Sequence, residues 1–429
     1  MRVERGDVGG SPAARARELR RSSQPSAALE ADVRAIVERV RDGGDQAVRE
    51  LAHRLDGIGA SHPIRVPDAE VEAALQAADP ELITALELAA ANVRDVAAAA
   101  VDGDREVRLG QGQSVLMREM PLRRAAVYVP GGRAPYPSTV VMGAVTARVA
   151  GVEQVVVCAP PAGEGRPHDA ILAACRVVGV DEVLCLGGAH AIAALAHGTE
   201  TIAAVEVIVG PGNAYVQEAK RQLSWVVGID GVAGPSELLV VLDDDRADIR
   251  AVALDLAAQG EHGEDTPVLA VSPSPDALDA VADELSSLTG TSDAGSPPVC
   301  HLLRTKDLDE ALAFADAYAP EHLELAGIGA EALARRVRAA GCLFVGAIGG
   351  TAFGDYVAGS NHVLPTGGAA RFASALSPRH FRRRMAEVHL RAGPGLDELA
   401  RAGARIARAE GFELHARSME ARMGENGPP

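Results

Sequence analysis

The run AAVYV at residues 125–129 opens the part of the chain whose reading decides the fold. QVVVCA (154–159), EVLCL (182–186) and VEVIV (205–209) follow it, separated by Ala-rich stretches of helical spacing. Short β-branched runs alternating with helices are the signature of parallel βαβ units. Further on, a second series begins: ELLVVL (237–242), PVLAVS (267–272), VCHLL (299–303) and GCLFVG (341–346), with helical patterns over 276–288 and 308–317. The expected class is α/β, with two Rossmann-like parallel-sheet domains. Upstream, ALEADVRAIVERVRDGGDQAVRELAHRLDG and DAEVEAALQAADPELITALELAAANVRDVA carry the helical period and acid-rich starts of surface helices. Beyond residue 366 the chain is Arg-rich, reads as helical and is too thin in apolar residues to fold alone. The expected divisions are an N-terminal arm (1–25), a helical region packing on the catalytic domain (26–119), two α/β domains (120–235 and 236–365) and a C-terminal helical tail (366–429). GTSDAGSPP at 290–298 reads as a surface loop.

With 429 residues, 47% of them hydrophobic, the chain can bury two or more cores. Its 42 Lys and Arg against 59 Asp and Glu leave a net charge of −17, which repels phosphate and so argues against nucleic acid and anionic membrane. A small-molecule substrate fits better. The five cysteines form no CxxC pair and fall in apolar runs, as reduced core residues do. No apolar run reaches the ~18 residues that span a bilayer, and no leader is evident. The expected compartment is the cytoplasm.

Three glycine-rich turns follow strands of the first series: YVPGGRAP (128–135), LGGAHA (186–191) and VGPGNAY (209–215). In a parallel sheet they converge on one crevice, where glycine lets backbone approach a ligand and a helix N-terminus favours an anion such as pyrophosphate. None is a GxGxxG, and by themselves they mark strand-to-helix turns more often than a nucleotide site.

The helix in LDLAAQGEHGED (254–265) continues the apolar stripe of Ile249, Val252 and Leu256 with Gln259 and places His262 one turn later. Burying an unpartnered amide costs roughly 1–3 kcal/mol, so these groups should face something. APEHLEL (319–325) sets Glu321 beside His322; GDYVAGSNHVLPT (354–366) combines Asp355, Asn361 and His362; EGFELHARS (410–418) places Glu410 and His415 in the tail. GPSE (234–237), with Ser236, passes as an ordinary turn. Each has a bland alternative: a satisfied core histidine, a solvated helix start, a capped turn. His53, His62, His168, His301, His380 and His389 keep it. Two imidazoles, a carboxylate and an amide oxygen, however, suit a borderline divalent ion such as zinc, with charge left over for further ligands from a substrate.

These stretches, with VYVPGGRAPYPSTVVM, GGAHAIAALAHGTE, VGPGNAYVQEAKRQ and AGPSELLV, resemble in order and spacing the motifs of histidinol dehydrogenase, the zinc- and NAD-dependent family that completes histidine biosynthesis. The likeness spans roughly residues 30 to 425. It implies oxidation of L-histidinol through L-histidinaldehyde to L-histidine with two NAD reduced. It implies that Gln259, His262, Asp355 and His415 bind one zinc ion per subunit and touch the substrate through it. Glu321 and His322 would carry the acid–base chemistry. Ser236, His322, His362 and Glu410 would contact the substrate, and Tyr128, His190 and Asn213 the NAD. It further implies a homodimer whose tails complete shared active sites. Two positions depart from the pattern: His190 stands where glutamine is usual, and Ser360 where proline is usual in the loop presenting His362. They leave open a paralogue acting on another polar alcohol, such as an amino or sulfonated diol. A different class, a non-catalytic zinc-bound scaffold, has no use for the Glu321–His322 pair.

Overall fold

A computed structural model describes residues 1–20, 26–59, 62–131, 134–163, 165–244, 247–288, 298–346 and 348–424. The expected loop at 290–298 lies, except for Pro298, outside the described residues. The strands in chain order are β1 (Arg2–Asp7), β2 (Arg105–Arg108), β3 (Ser114–Pro121), β4 (Arg124–Tyr128), β5 (Gln154–Ala159), β6 (Glu182–Cys185), β7 (Val207–Val209), β8 (Gly228–Ile229), β9 (Leu238–Leu242), β10 (Val268–Ser272), β11 (Val299–Arg304), β12 (His322–Ala326), β13 (Cys342–Val345) and β14 (Arg382–His389). The chain forms two compact units: Met1–Ala100 with Leu122–Phe381, and Val101–Pro121 with Arg382–Pro429.

The first unit holds two parallel sheets, of orders β6-β5-β4-β7-β8 and β1-β11-β10-β9-β12-β13. Their central strands are mostly apolar because helices cover both faces. In β9, Leu238, Val240 and Leu242 enter one core while Leu239 and Val241 enter the other, the two-residue alternation of a strand. Each sheet has a point where the strand order reverses, between β4 and β7 in one and between β9 and β12 in the other. Such reversals leave a crevice where connections depart to opposite sides. Among the described residues no helix is long and apolar enough to cross a membrane.

Residues 2–7, placed by composition in an extended arm, form the edge strand β1 and pair with β11 in parallel. Their sequence, RVERGD, has no apolar alternation because most of it stays exposed, and the partner lies some 300 residues away. The second unit also contains strands where helix was expected: β14 pairs antiparallel with β3, and β3 with β2. These strands bury little, so their charged side chains carry no two-residue apolar signal. The helices Pro394–Ala409 and Glu413–Glu420 pack through Ala404, Ala407 and Ala416. Arg408 ties them by reaching Glu413 at 2.9 Å and Glu420 at 2.7 Å.

Candidate active site

The polar cluster forms at the amino ends of β9 and β12, where the second sheet reverses. Ser236 and Glu237 lead into β9, Glu321 and His322 into β12, and the parallel register sets His322 opposite Leu238. Two extended segments entering side by side bring their last loop residues together. The Ser236 hydroxyl donates to Oε2 of Glu321 at 2.6 Å, and the Glu237 N–H donates to the same oxygen at 2.8 Å. Nε2 of Gln259, at the end of the helix Ile249–Gly260, donates to Ser236 Oγ at 2.7 Å. The amide that seemed out of place on an apolar stripe is thus buried with a partner. Gly341 is required beside it, since a Cβ there would stand 2.6 Å from the carbonyl oxygen of Glu321.

His322 is held from both sides. The carbonyl of Glu237 accepts from its backbone N–H and from Nδ1, each at 3.1 Å, so Nδ1 carries the proton in the neutral ring. Nε2 lies 3.3 Å from Oδ1 of Asp355, on the short helix Thr351–Tyr356. Burial lowers the affinity of His322 for its proton, but Asp355 and Glu321 outweigh burial and raise its pKa to about 9. Burial raises Glu321 above the carboxylate range, against the attraction of His322 and the hydrogen bond from Ser236. A carboxyl raised in this way binds a proton more readily than an ordinary one, as a group that exchanges protons requires.

His362 follows Asn361, whose amide donates to Met142 O at 3.1 Å and Thr146 Oγ1 at 3.2 Å and whose oxygen accepts from Val363 N at 2.9 Å. These bonds brace the loop despite Ser360. Burial holds His362 below the usual imidazole range, and its Nε2 has no hydrogen-bond partner among the described residues. His262 is exposed, with Nδ1 3.2 Å from the Gln259 carbonyl.

Among the described residues no three His, Cys, Asp or Glu side chains are grouped to hold a metal. The donor chemistry nevertheless fits one. Since the Gln259 nitrogen is committed to Ser236, its Oε1 is the atom left for a cation, and Asp355 adds a carboxylate and His262 an imidazole. Glu410 and His415 belong to the second unit. There Glu410 caps the helix Pro394–Ala409, and the His415 ring lies tilted against Phe412, their centroids 5.2 Å apart.

At the carboxyl ends of the first sheet, Tyr128, His190 and Asn213 line one cavity of about 580 Å³. Gly210, at φ +111°, closes its turn against β4, where a Cβ would meet Tyr128 O at 2.2 Å. The buried pair Lys220–Asp230 grips that glycine: Nζ donates to Gly210 O at 3.0 Å, and Asp230 accepts from Gly210 N at 2.7 Å.

Sequence reasoning passed over several of these residues. Glu237 is buried, accepts from Gly367 N at 3.0 Å, and has its pKa raised to about 7 by burial and the nearby Glu321. Its place directly before a wholly apolar strand was the available signal. Glu324, in HLELA, interrupts a buried strand and faces Asp255; burial and that neighbour raise its pKa to about 8. Asp56, in the cavity wall, was hidden as an ordinary helix end before Gly57.

A family model described as histidinol dehydrogenase matches residues 19–423. The curated histidinol dehydrogenase of Xylella fastidiosa (strain Temecula1) is 41% identical over 422 residues, covering 96% of this chain and 97% of its own. That of Leifsonia xyli subsp. xyli is 45% identical over 359 residues, covering 81% of this chain and 82% of its own. The crystal structure of histidinol dehydrogenase from Elizabethkingia anophelis matches with a TM-score of 0.89 at 29% identity, over 98% of each chain.

Proposed function

This chain belongs to the histidinol dehydrogenase family, and on that premise we propose that it oxidises L-histidinol through L-histidinaldehyde to L-histidine, the last step of histidine biosynthesis. The observation that carries the reading is the bonded series Gln259, Ser236, Glu321 with His322 alongside, an acid–base pair joined to expected metal and substrate contacts. A purely structural metal site would not need that pair.

Zinc held by Gln259, His262, Asp355 and His415 would supply orientation, by gripping the substrate's imidazole and amine. His322 performs the first proton transfer: Nε2 takes the hydroxyl proton while the carbinol C–H pair leaves as hydride to the nicotinamide of NAD. The role needs a neutral ring, and a cation held by Asp355 would offset the charge that raises His322. Glu321, as carboxylate, then takes a proton from water as its oxygen adds to the aldehyde carbon, while protonated His322 returns its proton to the former carbonyl oxygen and becomes neutral again. His322 removes a hydroxyl proton from the resulting hydrate as a second hydride leaves, and the acid is formed. Two NAD are reduced per substrate. Ser236, His362 and Glu410 contact the substrate, while Tyr128, His190 and Asn213 contact NAD. The working form in this reading is a cytoplasmic homodimer, with Glu410 and His415 supplied by the tail of the second copy.

The test is the NADH formed per histidinol consumed, measured beside zinc per chain. A ratio near two with about one zinc supports the reading. A ratio near one, or full activity without zinc, overturns it.

A further inference from the structure

The cavity of the first sheet departs from the phosphate site that its glycine turns suggest. Gly187 and Gly188 open the helix Gly188–His197, and a helix N-terminus attracts anions through its free N–H groups and dipole. Here the chain supplies the anion itself. Oδ2 of Asp56 accepts from Gly187 N at 2.9 Å, and the Tyr128 hydroxyl accepts from Gly188 N at 3.1 Å. Nε2 of the fully buried His190 lies 3.0 Å from the same Asp56 oxygen. The carboxylate makes Nε2 the protonated nitrogen, so Nδ1 is an acceptor, and it has no hydrogen-bond partner among the described residues. Burial holds the Tyr128 hydroxyl protonated, and its proton is not the one used toward Gly188.

One end of the cavity therefore presents a carboxylate and a hydroxyl donor, with the buried His190 ring holding the carboxylate from behind. A phosphate brought there meets a fixed negative charge. A ribose diol meets a carboxylate that accepts from its O–H groups and a hydroxyl that donates to its oxygens. Ile36, Leu51 and Leu55 line the same cavity and offer an apolar wall for a base. On the other side, the cavity wall includes Gly131, seven positions before Ser138, whose backbone bonds to His362. The nicotinamide half belongs on the Gly131 side, toward His362, which leaves the Asp56 end to the adenosine half.

We propose that Asp56, held in place by His190, and Tyr128 form the subsite for the adenosine ribose, and that Asp56 selects NAD against its 2′-phosphorylated counterpart NADP. The proposal rests on the reading that this cavity takes NAD. It is tested by calorimetric titration of the zinc-loaded enzyme with NAD and with NADP, for the parent, Asp56→Asn and His190→Gln. The parent should bind NADP about 100-fold or more weakly than NAD, since a like charge is brought against Asp56. Asp56→Asn keeps an amide oxygen for Gly187 N, and should narrow that ratio about tenfold or more, chiefly through tighter NADP. His190→Gln, which leaves the carboxylate in place, should preserve the discrimination. An unchanged ratio in Asp56→Asn overturns the proposal. NAD lacking the adenosine 2′-hydroxyl, titrated into the parent, should bind about tenfold more weakly, and equal binding overturns the proposal without any mutation. Failure of the parent to bind NAD at all would overturn the functional reading and this proposal together.

Discussion

Ser236 and Glu321 are joined across 2.6 Å by the only proton the serine hydroxyl has, and the lone pairs of that hydroxyl accept the amide of Gln259. The bond favours the ionised form of Glu321 against its burial. Ser236→Ala removes it and leaves the Gln259 amide without its acceptor. Aldehyde oxidation should fall about tenfold at neutral pH, and its acidic limb should move to higher pH because the carboxyl holds its proton more tightly. A pH profile with an unmoved limb counts against this link.

Glu321→Gln separates the two oxidations. The amide cannot take a proton from water, so added histidinaldehyde should be oxidised about 100-fold or more slowly while the alcohol step is largely spared. Single-turnover NADH formation from each substrate reads the split. Equal losses in both steps would remove the division of labour between Glu321 and His322.

His262→Ala takes an imidazole from the proposed donor set. Zinc affinity should fall at least about tenfold, and activity should fall with it and return at high zinc. Metal content after dialysis, set beside activity, is the check. Undiminished zinc in the variant would exclude His262 as a ligand.

Glu237 ties stability to pH. Its folded pKa, about 7, is raised above the ordinary glutamate value, so between about pH 4.5 and 7 the native chain keeps a proton that the unfolded chain has lost. Its contribution to unfolding free energy therefore declines as pH rises through that window. Glu237→Gln removes the decline while still offering an oxygen to Gly367 N. Relative to the parent, the variant should gain on the order of a few kcal/mol between pH 5 and pH 8 in urea unfolding. A constant difference at the two pH values would show that this carboxyl is not raised.

Lys220→Met strands a buried charge. Asp230 loses its counter-ion and Gly210 O its donor, at a cost of about 3–5 kcal/mol in unfolding free energy. Adding Asp230→Asn should recover part of the loss, which a double-mutant cycle measures. Full additivity of the two changes would mean that the pair is not coupled.

The sheets and most of the helices between them were legible because burial writes itself locally: a strand covered on both faces is a run of apolar residues, as β9 is throughout and β4 and β5 are after their first residue. The grouping of Gln259, Glu321 and His322 was legible only as polar residues in odd places. Their partner Glu237 looked like part of a turn, although its carbonyl fixes the tautomer of His322.

By itself the sequence determined the α/β alternation, the two series of strands, and the residue types available for acid–base and metal chemistry. These follow from periodicity and side-chain chemistry within a few turns of chain. Tertiary structure alone decided that Glu321 and His322 sit beside Ser236 and Glu237 at the amino ends of β9 and β12, that β1 closes the second sheet's edge, and that Asp56 occupies a helix end that could otherwise take an anion. Each of these depends on a hydrogen bond between residues more than 80 positions apart, and no local pattern of burial records which distant partner a polar group will find.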